Sequence, residues 1–154
     1  MSDFGEIEAV AGALLRQLAP AAQRQLLRRM VRTIRASQSA RIGRQQAPDG
    51  TPYTPRKKQP TGKLRRQGAL RRGAMFKKLR SARILRAGVA DAEAWIGFTG
   101  AASRIARIHQ DGGVDRPDPN TRPMAYPRRE LLGLTAAEQA QALDMLLDAL
   151  APPQ

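Results

Sequence analysis

Ile7, Val10, Ala11, Leu14, Leu15 and Leu18 recur at three- and four-residue spacing, which predicts one apolar helix face near the start of the chain. Asp3 and Glu6 give that helix a cap-like beginning, with acids at the positive end of its dipole. Pro20 interrupts the pattern and suits the first turn of a second helix. That helix buries Leu26, Leu27, Met30, Val31 and Ile34, while Arg24, Arg28, Arg32 and Arg35 recur on the other side. A helix pair, or one kinked helix, is therefore expected through residue 44. Over residues 45–62 the periodicity vanishes: four prolines and two glycines predict a long, mobile loop, with Pro48-Asp49-Gly50 as a turn. Beyond it Leu64, Leu70 and Phe76 stand among paired bases, and Gly68 and Gly73 weaken any helix.

Between residues 81 and 99 the pattern becomes strand-like. Ile84, Ala87 and Val89 precede Trp95, Gly97 and Phe98, with Asp91-Ala92-Glu93 as the connection of an antiparallel hairpin. Ile105 and Ile108 then fit a short helix closed by Gly112, and residues 111–123 read as a polar loop. Thr135 and Glu138 form a capping box ahead of Ala142, Leu143, Leu146, Leu147 and Leu150, the apolar face of a C-terminal helix. The expectation is an α+β fold: an N-terminal helix pair, a long basic loop, a small antiparallel β-sheet and a C-terminal helix. At 154 residues it is read as one domain, 1–154, carrying a mobile basic segment at 45–80.

Composition narrows this picture. Aromatic residues are 4% of the chain, so the core rests on aliphatic side chains. Cysteine is absent, which removes disulfides, thiolate metal sites and a cysteine nucleophile. No apolar run approaches the ~18 residues of a membrane span, and the acidic N-terminus is unlike an export signal. A soluble protein made in the cytoplasm, without membrane contact, is expected.

Charge changes the picture most. The forty residues from Thr51 to Ala90 hold thirteen Lys or Arg and no Asp or Glu, so this segment carries +13 of the formal +14. Such a cluster favours a polyanionic partner. Arg56, Lys57, Lys58, Lys63, Arg65, Arg66, Arg71, Arg72, Lys77 and Lys78 are the candidate contacts. Tyr53 and Phe76 are too few for a base-stacking platform, and no helix-turn-helix, zinc-finger or ribonucleoprotein signature accompanies the charge. Three readings stand: a nonspecific nucleic-acid contact, an arm that docks an acidic protein surface, and a solvated surface enriched in arginine.

Catalysis has little support. The single histidine, His109, has no cysteine partner, and Ser103 lacks the context of a nucleophile elbow. Asp111 lies two residues from His109 without a patterned third ligand. His109 is expected to be hydrogen-bonded in a structural turn. No metal, no cofactor and no enzymatic activity are expected.

Two stretches nevertheless resemble a known family. Ile105-Ala-Arg-Ile-His-Gln-Asp-Gly112 and Tyr126-Pro-Arg-Arg-Glu-Leu-Leu-Gly-Leu-Thr135 are similar to paired motifs of the phage virion morphogenesis, or tail completion, proteins of contractile-tailed temperate and Mu-like phages. Upstream, the arginine-rich helix ending in RIGRQQAPDGTPYTP also resembles the family, with Tyr53 where tryptophan is more usual. The resemblance covers essentially the whole chain. It implies a non-enzymatic assembly protein of the tail or neck that finishes the tail for head joining, assembled in the bacterial host cytoplasm. It also implies a neck- or tail-terminator-like fold and a homo-oligomeric, hexameric ring. Partners would be other tail and neck proteins, with transient contact to phage DNA. The motif residues Tyr53, Ile108, His109, Gly112, Tyr126, Pro127, Arg128, Leu132 and Gly133 would shape the fold, Pro127 holding Tyr126 extended and Gly133 making the turn before the capping box. A small basic nucleic-acid-binding protein is the alternative.

Overall fold

Two long helices open the chain in the computed structural model, which describes residues 3–56, 74–116, 119–120 and 122–151. Helix α1 spans Asp3–Leu15 and helix α2 Pro20–Gly43, with Pro20 in the first turn of α2, where its missing N–H costs nothing. Strands β1 (Leu85–Ala90) and β2 (Glu93–Phe98) pair as a two-stranded sheet. Helix α3 (Ala102–Asp111), strands β3 (Gly113–Asp115) and β4 (Met124–Tyr126), and helix α4 (Ala136–Leu150) complete the described elements. The architecture is α+β, with four helices and two small antiparallel ladders.

The hairpin turns through Asp91 and Ala92, both at positive φ (49° and 64°). That is the handedness which lets a two-residue turn match the right-handed twist of its strands. Across the hairpin the indole of Trp95 lies over Gly88, where a Cβ would stand 2.8 Å from the ring. Glycine at 88 is thus what admits the large ring.

The ladder β3–β4 runs antiparallel, with Gly113 opposite Tyr126, Val114 opposite Ala125 and Asp115 opposite Met124. Strand β3 falls within residues 111–123, which the sequence reads as a polar loop, and β4 follows directly after them. Val114 and Met124 are both exposed, so burial imposed no alternation from which these strands could be read.

The chain divides into two compact units. The first comprises Met1–Ser37, Ala87–Ile96 and Leu134–Gln154. Here α1 packs against α4, and Thr135 caps α4 with the reciprocal bonds of a capping box: its hydroxyl accepts from Glu138 N, and the Glu138 carboxylate accepts from Thr135 N. Leu26, Leu27, Val31 and Ile34 of α2 are buried as their spacing predicts, whereas Met30 is half-buried. Two expectations need correction. Val10 is exposed, because α1 meets its neighbour along only part of its stripe, and on α4 Leu146 is enclosed while Leu143 and Leu147 face outward.

The second unit comprises Gln38–Arg86 and Gly97–Gly133. Its innermost side chains include Ile42, Leu85 and Leu131, all fully enclosed. Helix α3 carries Ile105 and Ile108 and ends at Gly112 as expected, with Ala106 its buried residue and Ile105 half exposed to solvent. Part of the loop expected from residue 45 is firmly held. Gln46 N bonds Arg41 O and Gln45 N bonds Ile42 O, which closes α2 in the Schellman manner with Gln45 at φ 61° in place of glycine. Ala47 N then bonds Thr51 O, Gly50 N bonds Ala47 O, and Tyr53 N bonds Gln45 O. The Asp49 carboxylate accepts from Thr51 N and Thr51 Oγ1, the local bonds that make Pro48-Asp49-Gly50 a turn.

Candidate functional site

The two motif stretches and the segment around Tyr53 meet inside the second unit, held there by side chains that substitute for strand pairing. Helix α3 carries His109 and Gln110 in its last turn, and the extended segment after β4 passes alongside. Gln110 Oε1 accepts from the backbone N–H groups of Leu131 and Leu132 (2.8 and 2.9 Å), and Gln110 Nε2 donates to Leu132 O (2.9 Å). Arg129 N donates to His109 O at 2.6 Å. The helix end and the extended strand therefore satisfy one another's backbone, as buried polar groups must.

Arg129 is the centre of this arrangement. It is 5% exposed, and its guanidinium donates to Thr54 O (2.7 Å), to Pro55 O (3.1 Å) and to His109 Nδ1 (3.1 Å). A guanidinium has only donors, so Nδ1 of His109 must be the bare, accepting nitrogen and Nε2 carries the proton. Burial, reinforced by the positive charges of Arg129 and Arg56, pushes the His109 pKa down to about 4. His109 is neutral at physiological pH. Burial and the Arg56 charge also lower the pKa of Arg129.

Around this pair the aromatic side chains meet edge to face. Tyr53 and Phe76 have ring centroids 5.7 Å apart, Phe76 and His109 4.8 Å, and His109 and Tyr126 5.3 Å. Tyr53 is buried, donates its hydroxyl to Glu130 O (3.1 Å), and has its pKa raised to about 12, chiefly by burial. Phe76 adopts φ 67°, an unfavourable conformation for a bulky residue. The neighbouring backbone is fixed by Gln45, whose amide accepts from Met75 N (2.7 Å) and donates to Met75 O (3.0 Å). Arg41, 3% exposed, donates to Leu131 O, Gly133 O and Gln46 O, tying α2 to the same segment.

The remaining motif residues take their places at the edge of this cluster. Ile108, Pro127 and Leu132 are half-buried, Gly112 ends α3 at φ 73°, and Arg128 is exposed, bonding Glu130 Oε2 and Gln110 O. Gly133 (φ 152°) sits where a Cβ would come 2.7 Å from Pro48 Cγ. Of the basic candidates, Arg56, Lys77 and Lys78 are exposed. Lys57, Lys58, Lys63, Arg65, Arg66, Arg71 and Arg72 lie outside the described residues.

Beside the cluster Ile105, Ile108, His109, Arg104, Arg116 and Tyr126 line part of an open cleft of about 450 Å³. Its geometry offers no prepared nucleophile, because the Ser103 hydroxyl donates to Gly100 O (2.8 Å) and His109 Nδ1 faces Arg129. His109 lies in the last turn of the expected short helix rather than in a separate structural turn, and its carbonyl and ring both bond Arg129 of the neighbouring segment. No group of three His, Asp or Glu able to hold a metal occurs among the described residues. Sequence reasoning did not single out Gln45, Arg41, Gln110 or Arg129. Their only signal was presence inside the motif stretches, because a polar residue that bonds distant backbone leaves no periodic trace.

The His109 arrangement has a pH signature. The folded pKa lies below the ordinary value of 6.5, so the unfolded chain binds the proton more readily. The stability contributed by neutral His109 is complete above pH 6.5 and is lost as pH falls towards 4. One pKa unit corresponds to about 1.4 kcal/mol; discounted for partial solvent access, the loss is about 1–2 kcal/mol. Urea denaturation across this window should show the decline in the wild type and a flatter profile in His109→Gln; equal slopes would contradict the assignment.

A family model described as the phage virion morphogenesis family matches residues 2–151 of the chain. Tail completion protein S of Escherichia phage P2 is 34% identical over 152 residues, covering 96% of each chain. No solved structure matches.

Proposed function

Since the chain belongs to the phage virion morphogenesis family, we propose that it completes the phage tail and makes it competent to join the head, acting as a structural component without catalysis. The observation that carries this reading is the near full-length similarity to a tail completion protein. Tyr53, His109 and Gly133 are engaged in interior bonds and close packing, so in this reading they shape the fold and leave partner contact to other residues.

In this reading the protein acts as several copies in a ring at the tail or neck of the virion, assembled in the host cytoplasm. The basic segment is its docking arm. DNA must pass the joint without being trapped, so the chief partner is an acidic tail or neck protein, and contact with DNA is transient. The test is to change Arg65, Arg66, Arg71 and Arg72 to glutamine in the phage. Tails that fail to join filled heads, with yield of infectious particles down about a hundredfold or more, are expected from losing four charges at one docking site; joining at wild-type efficiency would refute the docking role.

The +13 carried by Thr51–Ala90 also favours a second reading, a small basic nucleic-acid-binding protein. Tight duplex binding that weakens steeply with salt, as counterion release dictates, would support it if the phage also joined heads and tails without this protein.

A further inference from the structure

The chain separates its charges by element. From Ala9 to Pro48 there is no acidic residue, and after Glu130 there is no Lys or Arg. Both stretches supply an exposed helix face to the first unit. On α2, Arg24, Arg28, Arg29 and Arg32 are exposed, and Arg28 and Arg32 stand one turn apart along the flank of the face that buries Leu27, Val31 and Ile34. The described ion pairs, Arg104–Asp115 and Arg128–Glu130, lie elsewhere, so none of them neutralises this stripe. On α4, Asp144 and Asp148 are exposed one turn apart on the side opposite buried Leu146, and Leu143 (38% exposed) and Leu147 (50% exposed) lie beside them.

The two faces match in sign and in spacing. Residues four apart on a helix rise about 6 Å, so Arg28 with Arg32 presents the same interval as Asp144 with Asp148. The match also covers apolar surface. Arginine stems lie well along exposed leucines while their guanidinium heads reach carboxylates in bidentate geometry. A phosphate backbone would satisfy the α2 arginines alone, and it would be repelled by α4 and leave Leu143 and Leu147 bare.

We propose that the arginine face of α2 in one copy docks against the Asp144/Asp148–Leu143/Leu147 face of α4 in a second copy of the same chain. Each copy owns one patch of each kind, so a contact of this type can repeat and closes into a ring where the rotation between copies permits. The inference rests on the self-association proposed above and names the surfaces that produce it.

The test is sedimentation velocity on the purified full chain over a range of concentrations, in low and high salt. The wild type is expected to self-associate, less strongly in high salt. Two double variants, R28E/R32E and D144R/D148R, are each expected to weaken self-association about tenfold or more, since each sets like charges against one another. An equimolar mixture of the two is expected to regain it, because the glutamates of one then meet the arginines of the other. That rescue also separates a lost interface from a lost fold. A wild type that stays monomeric throughout would overturn the self-association reading and this contact together. Self-association that survives both double variants, or a mixture that fails to regain it, would overturn this contact alone. R28E/R32E losing duplex DNA binding while self-associating normally would also overturn it and give the stripe to nucleic acid.

Discussion

Replacing Arg129 with methionine is expected to destabilise the protein by about 2–3 kcal/mol, the cost of leaving part-buried neutral acceptors without their donor. The guanidinium is the donor for Thr54 O, Pro55 O and His109 Nδ1, and no acidic side chain is among those three partners. Its charge is balanced by carbonyl dipoles, and removing it leaves those acceptors without their donor in a site that is 5% exposed at Arg129. Methionine fills much of the volume but donates nothing. Lysine keeps the charge yet cannot reproduce three diverging N–H directions from a planar fork, so Arg129→Lys is expected to lose most of the same stability. Urea denaturation followed by circular dichroism measures both. A loss under 1 kcal/mol for methionine would mean that the network does not hold the motif segments together.

Gly133→Ala is expected to cost about 2–4 kcal/mol through two separable causes. The backbone at φ 152° is one that side-chain-bearing residues rarely adopt, and the new Cβ would stand 2.7 Å from Pro48 Cγ and 3.1 Å from Glu130 Oε1. The Pro48 contact lies in the turn next to Tyr53, so relief of the clash must move that turn. A double-mutant cycle with Pro48→Ala separates the causes. The clash component, about 1 kcal/mol or more, should vanish when both are changed, and the backbone component should remain. Strict additivity would show that the close approach to the Pro48 ring is not among the reasons for glycine at 133.

The sequence revealed elements wherever burial and periodicity coincide. Leu26, Leu27, Val31 and Ile34 follow the helical repeat because one face of α2 is enclosed, and Thr135 with Glu138 announces α4 because capping chemistry is local. Asp91 and Ala92 marked the hairpin even though Ala92 is an unusual choice for positive φ. Strands β3 and β4 stayed hidden because Val114 and Met124 face solvent, and Val10 misled because an apolar residue on a helical stripe need not find a partner. The site was legible only as motif. His109 and Tyr53 stood out as a lone histidine and a rare aromatic, but what they touch depends on Arg129, Gln110 and Gln45. Those three reach backbone atoms between 20 and 75 residues away in the sequence (His109 O and Thr54 O for Arg129, Leu132 O for Gln110, Met75 N for Gln45). No local pattern encodes such a partner.

The most direct test of the tail-completion role is electron microscopy and plaque titre of lysates from a phage or induced prophage lacking this gene, with and without the protein supplied from a plasmid. The account predicts DNA-filled heads and separate tails without the gene, and joined, infectious particles when the wild-type protein is supplied. Joined particles of normal titre in its absence would contradict it.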